Sequence, residues 1–186
     1  MIEVVNIIIF SDVFGITPAL IEFKEQLGAN TIVDPYKGKI MDFISESEAY
    51  SYFISKVGFD SYVSKVLKIM ALVNCETTVI GFSIGASAIW RSSESNNNNR
   101  IKQAFCFYGS QIRNFTLVNP CYKINMVFPK SELHFDVTEL IKTLEEKRYV
   151  KIKRVDYFHG YMNSNSINFN PIGYKDSVEI LRKMIS

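Results

Sequence analysis

Short, nearly continuous apolar runs alternate along the chain with segments whose apolar residues recur every three or four positions. The runs are Val4–Phe10, Thr31–Val33, Thr77–Ile80, Gln103–Phe107, Ile124–Phe128 and Tyr149–Val155. Runs of this length, rich in Ile, Val and Phe, mark strands buried on both faces, as in a parallel sheet. The helical segments between them are Thr17–Leu27, an aromatic-rich stretch from Glu46 to Leu72, and Ser83–Ser93, with Thr138–Glu146 and Lys175–Ile185 following later. Thr17 before Pro18 supplies an N-cap and then proline at the first helical position, and Gly28 is placed to end that helix. The alternation is a βαβ pattern, which predicts an α/β fold: a mostly parallel sheet of about six strands flanked by helices. No internal repeat or linker divides residues 1–186, so one domain is expected, with Asn96–Asn99 as a polar surface loop. In such sheets ligands bind beyond the carboxyl ends of the strands, so the chemistry should lie in the segments just after each strand.

Composition narrows the function. The chain is 47% apolar, enough for a packed core, and its 21 basic and 19 acidic residues nearly cancel. That balance leaves no electrostatic footprint for nucleic acid or an anionic membrane. The densest basic group, Lys147, Arg148, Lys151, Lys153 and Arg154, reads as a strand with a solvated edge. Cys75, Cys106 and Cys121 form neither an even disulfide set nor a metal-binding spacing, which suggests buried, reduced thiols. Val4–Phe10 is too short to span a bilayer, and no basic segment precedes it as in a signal peptide. A cytoplasmic protein, monomer or homodimer, with no metal or organic cofactor is expected.

The sharpest signal is Gly81-Phe82-Ser83-Ile84-Gly85, entered from a strand and leaving into a helix through Ala86, Ala88, Ile89 and Trp90. GxSxG in a strand–turn–helix context lifts the serine hydroxyl above the sheet and aims the next backbone N–H, that of Ile84, at a developing oxyanion. The plain alternative is a glycine-rich turn that cradles phosphate, as in a flavodoxin-like nucleotide binder. The segment lacks both GxGxxG spacing and a P-loop lysine. A nucleophilic serine needs a base and an orienting acid. Of the two histidines, His159 follows the last strand and leaves room for an acid between, in the order nucleophile, acid, histidine; His134 would crowd that order. Glu132 and Asp136 both follow the strand Ile124–Phe128, with Glu132 nearer its end, and Asp156 ranks last for its closeness to His159. Asp12, directly after the first strand, is either a neighbour of the nucleophile or a turn-stabilising residue. Trp90 and the aromatics from Phe43 to Tyr62 read as core packing.

With these positions in place the chain resembles the dienelactone hydrolase family over nearly its whole length. Asp12-Val13-Phe14-Gly15 resembles the family's first block, and Asp34-Pro35-Tyr36 its proline-tyrosine block. Gly81–Gly85 matches the elbow, Phe107-Tyr108-Gly109 the aromatic-Tyr-Gly after the next strand, Phe128-Pro129-Lys130-Ser131-Glu132 the segment of the acid, and His159-Gly160-Tyr161 that of the histidine. The resemblance implies an α/β-hydrolase fold and hydrolysis of a small ester or lactone, with catalytic Ser83, Glu132 and His159. It places the oxyanion on the Ile84 and Val13 amides and Asp12 beside the nucleophile. Phe14, Tyr36 and Tyr108 are candidates for contacting the substrate, and Tyr36 and Tyr108 read equally as half-buried aromatics at strand ends. The family's type enzyme uses cysteine where this chain has Ser83. It binds a substrate carboxylate with arginines, whereas residues 37–80 here contain none and Met162-Asn163-Ser164 follow the histidine block. The family's N-terminal strands have no counterpart, and no stretch is long enough for a lid domain. A thioesterase or other acyl hydrolase on the same scaffold, or a catalytically silent binding protein, would carry the same landmarks.

Overall fold

The computed structural model describes residues 6–95 and 98–185. Val4 and Val5 of the expected first strand, and Asn96 and Asn97 of the polar loop, lie outside the described residues. The elements run β1 (Asn6–Phe10), α1 (Pro18–Leu27), β2 (Thr31–Val33), α2 (Glu46–Lys56), α3 (Phe59–Ala71), β3 (Thr77–Phe82), α4 (Ile84–Ser92), β4 (Ile101–Phe107), β5 (Lys123–Phe128), α5 (Val137–Glu145), β6 (Val150–Arg154) and α6 (Pro171–Ile185), with a short 3-10 turn at Ser110–Asn114.

All six strands are parallel, in the order β2-β1-β3-β4-β5-β6, so the sheet is wholly rather than mostly parallel. Each pair of successive strands therefore needs a crossover connection, which is helical everywhere except between β4 and β5, where the 3-10 turn lies, and this is why apolar runs and amphipathic segments mostly alternate. Successive side chains feed opposite layers. Ile8, Phe10, Val79, Ala104 and Met126 pack with Phe53, Val66, Ile89 and Leu140, from α2 to α5. Ile7, Ile9, Ile80 and Phe105 pack with Phe23 of α1 and Val178 and Leu181 of α6. Trp90 is buried in the first of these cores and donates its indole N–H to the Phe115 carbonyl at 2.9 Å, as core packing rather than cofactor binding. This is the α/β-hydrolase fold, and no lid domain stands among the described residues.

The chain leaves β1 toward β2 on one side and then crosses back to β3 on the other side of β1. That reversal opens a crevice at the carboxyl ends of β1 and β3, where Asp12 and Ser83 follow.

Several boundaries differ from the sequence pattern for local reasons. The Glu46–Leu72 stretch is two helices, broken at Gly58, whose φ of +78° carries the turn. The last helix starts at Pro171, earlier than its apolar periodicity: the Asn170 side chain accepts from the Gly173 N–H, and proline follows at the first helical position. Of the three thiols, Cys106 is buried as expected, but Cys75 and Cys121 are exposed because they sit in turns ahead of their strands. The basic group leads into β6, an edge strand with Lys151, Lys153 and Arg154 exposed, while Lys147 and Arg148 precede it.

Candidate active site

Ser83 sits at the joint of β3 and α4 with φ +49° and ψ −110°, a strained region that non-glycine residues rarely occupy. Strain of this kind costs about 1–3 kcal/mol and persists only where the surroundings hold it. Here the Ser83 N–H donates to the Phe107 carbonyl at 2.9 Å, and its own carbonyl accepts from the Ser87 N–H and hydroxyl, each at 3.0 Å. The flanking glycines are sites of close approach. A Cβ on Gly81 would lie 2.6 Å from Ile89 Cδ1 and 2.7 Å from the Ala86 nitrogen, and one on Gly85 would strike the Phe10 and Ser11 carbonyl oxygens.

The structure brings Ser83, His159 and Glu132 into one line. Ser83 Oγ is 3.0 Å from His159 Nε2, and His159 Nδ1 is 2.8 Å from Glu132 Oε1. The carboxylate fixes the proton on Nδ1, leaving Nε2 as acceptor toward the hydroxyl. Burial pulls the His159 pKa down. The hydrogen bond and charge of Glu132, with the charges of Glu46 and Asp12, outweigh it and leave the pKa raised above 6.5. The other candidates lie elsewhere. Asp136 caps α5, its carboxylate accepting from the Thr138 N–H at 2.7 Å, and His134 and Asp156 are exposed.

In the turn after β1, Asp12 takes the turn-stabilising role and shares the cavity lining with Ser83. Oδ1 accepts from the Phe14 N–H at 2.9 Å, which closes the turn, and Oδ2 accepts from the Asn163 side chain at 2.6 Å. Burial raises the Asp12 pKa to about 6, partly offset by those two donors. Among the described residues, neither the Val13 nor the Ile84 amide meets a protein acceptor. Tyr36 donates its hydroxyl to the Val13 carbonyl at 2.6 Å, and its ring packs on Gly15. It is buried and is not among the residues lining the cavity, so it braces the Val13 turn from behind.

A small cavity, open to solvent, is lined by Asp12, Val13, Phe14, Glu46, Ser83, Tyr108, His159 and Asn163, among others. A second adjoins it through Asp12, Tyr108 and Asn163 and has Leu20, Phe23, Phe82 and Met162 in its walls. Tyr108 has a φ of +41°, and its ring lies 4.9 Å from that of His159. Burial raises the Tyr108 pKa well above its usual value, against a smaller opposing pull from the Met162 backbone N–H, and among the described residues its buried hydroxyl closes no hydrogen bond. An orphaned buried hydroxyl costs about 1–3 kcal/mol, so Tyr108→Phe is expected to unfold no more easily than wild type in urea. A rise in KM alone would show that a substrate meets the hydroxyl.

Sequence reasoning passed over Asn163 and Glu46. Glu46 lies in the first turn of α2, and its Oε1 is 3.9 Å from His159 Nε2. The one sequence cue for Asn163 is its place just after the His159-Gly160-Tyr161 block; Glu46 has none, being the first of a helix's acidic residues. Arg91 is tied to Asp60 of α3 and lies over the Phe115 ring, away from the cavity lining.

The Asp12 environment has a measurable consequence. The folded pKa lies above the usual 3.8, so the native state holds its proton more tightly than the unfolded chain does. Stability from this group is intact at low pH and is lost as pH rises from about 4 to 6, by about 3 kcal/mol at most. Asp12→Asn should remove that decline, as read from urea unfolding across this range.

An α/β-hydrolase fold with a serine beyond β3, a carboxylate beyond β5 and a histidine beyond β6, all in line, defines the class of protein. No family model matches the sequence. An uncharacterized protein, YczH, of Bacillus subtilis (strain 168) is 35% identical over 106 residues, 56% of this chain and 51% of its own length. The matched part thus spans about half of that curated relative. Among solved structures, a candidate dienelactone hydrolase of Klebsiella pneumoniae subsp. pneumoniae MGH 78578 superposes with a TM-score of 0.77 at 11% identity, covering 97% of this chain and 85% of that one. The dienelactone hydrolase of Anabaena variabilis ATCC 29413 gives 0.66 at 12% identity over 98% and 86%. A dienelactone hydrolase-like promiscuous phosphotriesterase, P91, from metagenomic libraries gives 0.65 at 11% identity over 98% and 85%. At these identities the likeness is one of fold.

Proposed function

We propose that the protein is a serine hydrolase that cleaves small esters or lactones through an acyl-enzyme. The observation that carries this reading is the Ser83–His159–Glu132 line, with separations of 3.0 and 2.8 Å, built on a strained strand–turn–helix joint. The fold shared with dienelactone hydrolases supports it. His159 Nε2 takes the Ser83 proton as Oγ attacks the carbonyl, and Glu132 stabilises the imidazolium that forms. The oxyanion lies on the Ile84 and Val13 amides, the latter positioned by Tyr36. His159 then protonates the leaving alcohol and, in the second half, takes a proton from water to release the acid. No metal or organic cofactor takes part in these steps.

The test is hydrolysis of short p-nitrophenyl esters and of a simple lactone, with labelling by a fluorophosphonate. Ester turnover and labelling at Ser83 are expected; neither occurring would leave a silent scaffold. Because neutral His159 is the base, activity should rise with pH through its raised pKa. Glu132→Gln should move that limb to lower pH and cut kcat by roughly 10²–10⁴-fold. Asp136→Ala should lower the melting temperature by loss of the α5 cap while leaving the pH profile in place. The reverse pattern would transfer the acid's role to Asp136.

A further inference from the structure

We propose that the Ser83 cavity selects substrates bearing a positive charge, an ammonium or quaternary ammonium ester, over neutral and anionic esters of the same shape. This rests on the hydrolase reading above and adds the substrate class.

The argument is one of charge balance. Asp12 and Glu46 line the cavity, Glu132 stands behind His159, and no Lys or Arg is among the lining residues. The imidazolium of the reaction needs one carboxylate, and Glu132 supplies it at 2.8 Å. Attack by Ser83 creates a positive imidazolium and a negative oxyanion together, so the site's net charge does not change. Asp12 and Glu46 therefore remain a surplus of negative charge at every stage. Asp12 is held by the Asn163 amide and the Phe14 N–H, which orient the carboxylate without neutralising it. Uncompensated charge in a confined, partly dry space is costly, and a bound cation relieves that cost.

Placement agrees with this. Glu46 Oε1 is 3.9 Å from His159 Nε2, and its side chain is 44% exposed, so it stands at the mouth on the side from which substrate approaches. Tyr108, 1% exposed and with an unpartnered hydroxyl, and Phe14 add aromatic surface to the same wall. Aromatic faces and carboxylates together suit an alkylated ammonium. The same field repels an anionic acyl group, in keeping with the absence of a basic residue from the cavity lining.

The experiment compares acetylcholine with 3,3-dimethylbutyl acetate, its neutral carbon isostere, and with monoethyl succinate as the anionic ester. Values of kcat/KM are measured for wild type and Glu46→Gln at low and high salt. Binding of the first two to Ser83→Ala protein is measured by calorimetry. The expected result is a preference of roughly tenfold for acetylcholine over its isostere at low salt. That ratio shrinks in high salt and falls several-fold in Glu46→Gln, with monoethyl succinate the poorest substrate. Equal kcat/KM for the two acetates, with hydrolysis that still depends on Ser83, would overturn the charge selectivity and leave the hydrolase reading standing. Hydrolysis of none of the three, together with no p-nitrophenyl ester turnover and no fluorophosphonate labelling, would remove the hydrolase reading. Calorimetry then decides the charge question alone: tighter acetylcholine binding upholds it, and equal or absent binding overturns it.

Discussion

Ser83→Ala protein is expected to keep its fold and lose ester hydrolysis by roughly 10⁵-fold or more in kcat. The serine hydroxyl is the one atom in the cavity that combines exposure to substrate with a hydrogen bond to an oriented imidazole, so nothing nearby can substitute for it. Alanine keeps the Cβ and with it the strain of φ +49°, so the unfolding midpoint should hardly move. Ser83→Gly makes a sharper companion. It should be as inactive as the alanine variant yet more stable by about 1 kcal/mol, because glycine takes this backbone conformation freely. Gain of stability on loss of activity, read by urea unfolding beside p-nitrophenyl acetate turnover, would mark the joint as strained for function. Substantial turnover by either variant would end the assignment of Ser83 as nucleophile.

Gly85→Ala is the second large effect, and it acts on structure. The added methyl would meet the carbonyl oxygens of Phe10 and Ser11, which belong to β1 and the turn after it. Backbone of an interior strand, paired on both sides, cannot step aside as a flexible side chain can. We expect a loss of about 3 kcal/mol or more, or failure to fold at ordinary temperature. Any folded fraction would have α4 pushed away from β1, which separates the Ile84 and Val13 amides and removes activity. An unfolding free energy within about 1 kcal/mol of wild type would show that the helix can shift without penalty, outside the usual cost of overpacking.

How much of this could be read from residues alone depends on how local each cause is. The six strands were legible because burial on both faces forces continuous apolar runs, and β3, buried at every position, is the clearest of them. The elbow and the order serine, glutamate, histidine were legible because a strand end, a turn and a helix start leave marks within a few residues. The choice of Glu132 over Asp136 was half legible. Nearness to the strand end favoured Glu132, but the cap geometry that occupies Asp136 depends on where α5 begins. Tyr36 was placed beside the substrate because sequence shows that an aromatic follows β2 but not which way its ring turns; packing on Gly15 sends it behind the Val13 turn. Glu46 and Asn163 were out of reach. Each arrives at the cavity from an element distant in the chain, and their types are common on any polar surface. The split at Gly58 was missed because the apolar period runs on through it.

The strand order also sets a schedule for synthesis. β1 is an interior strand whose longer partner is β3, paired from Asn6 with Thr77 to Phe10 with Gly81. When β1 leaves the ribosome, its principal neighbour has yet to be translated. At roughly 5–20 residues per second, the interval to β3 is on the order of ten seconds. Through that time Ile7, Ile8, Ile9 and Phe10 have only β2, three residues long, as a sheet partner. The nascent chain therefore carries its most apolar strand without its longer sheet partner until β3 has been made.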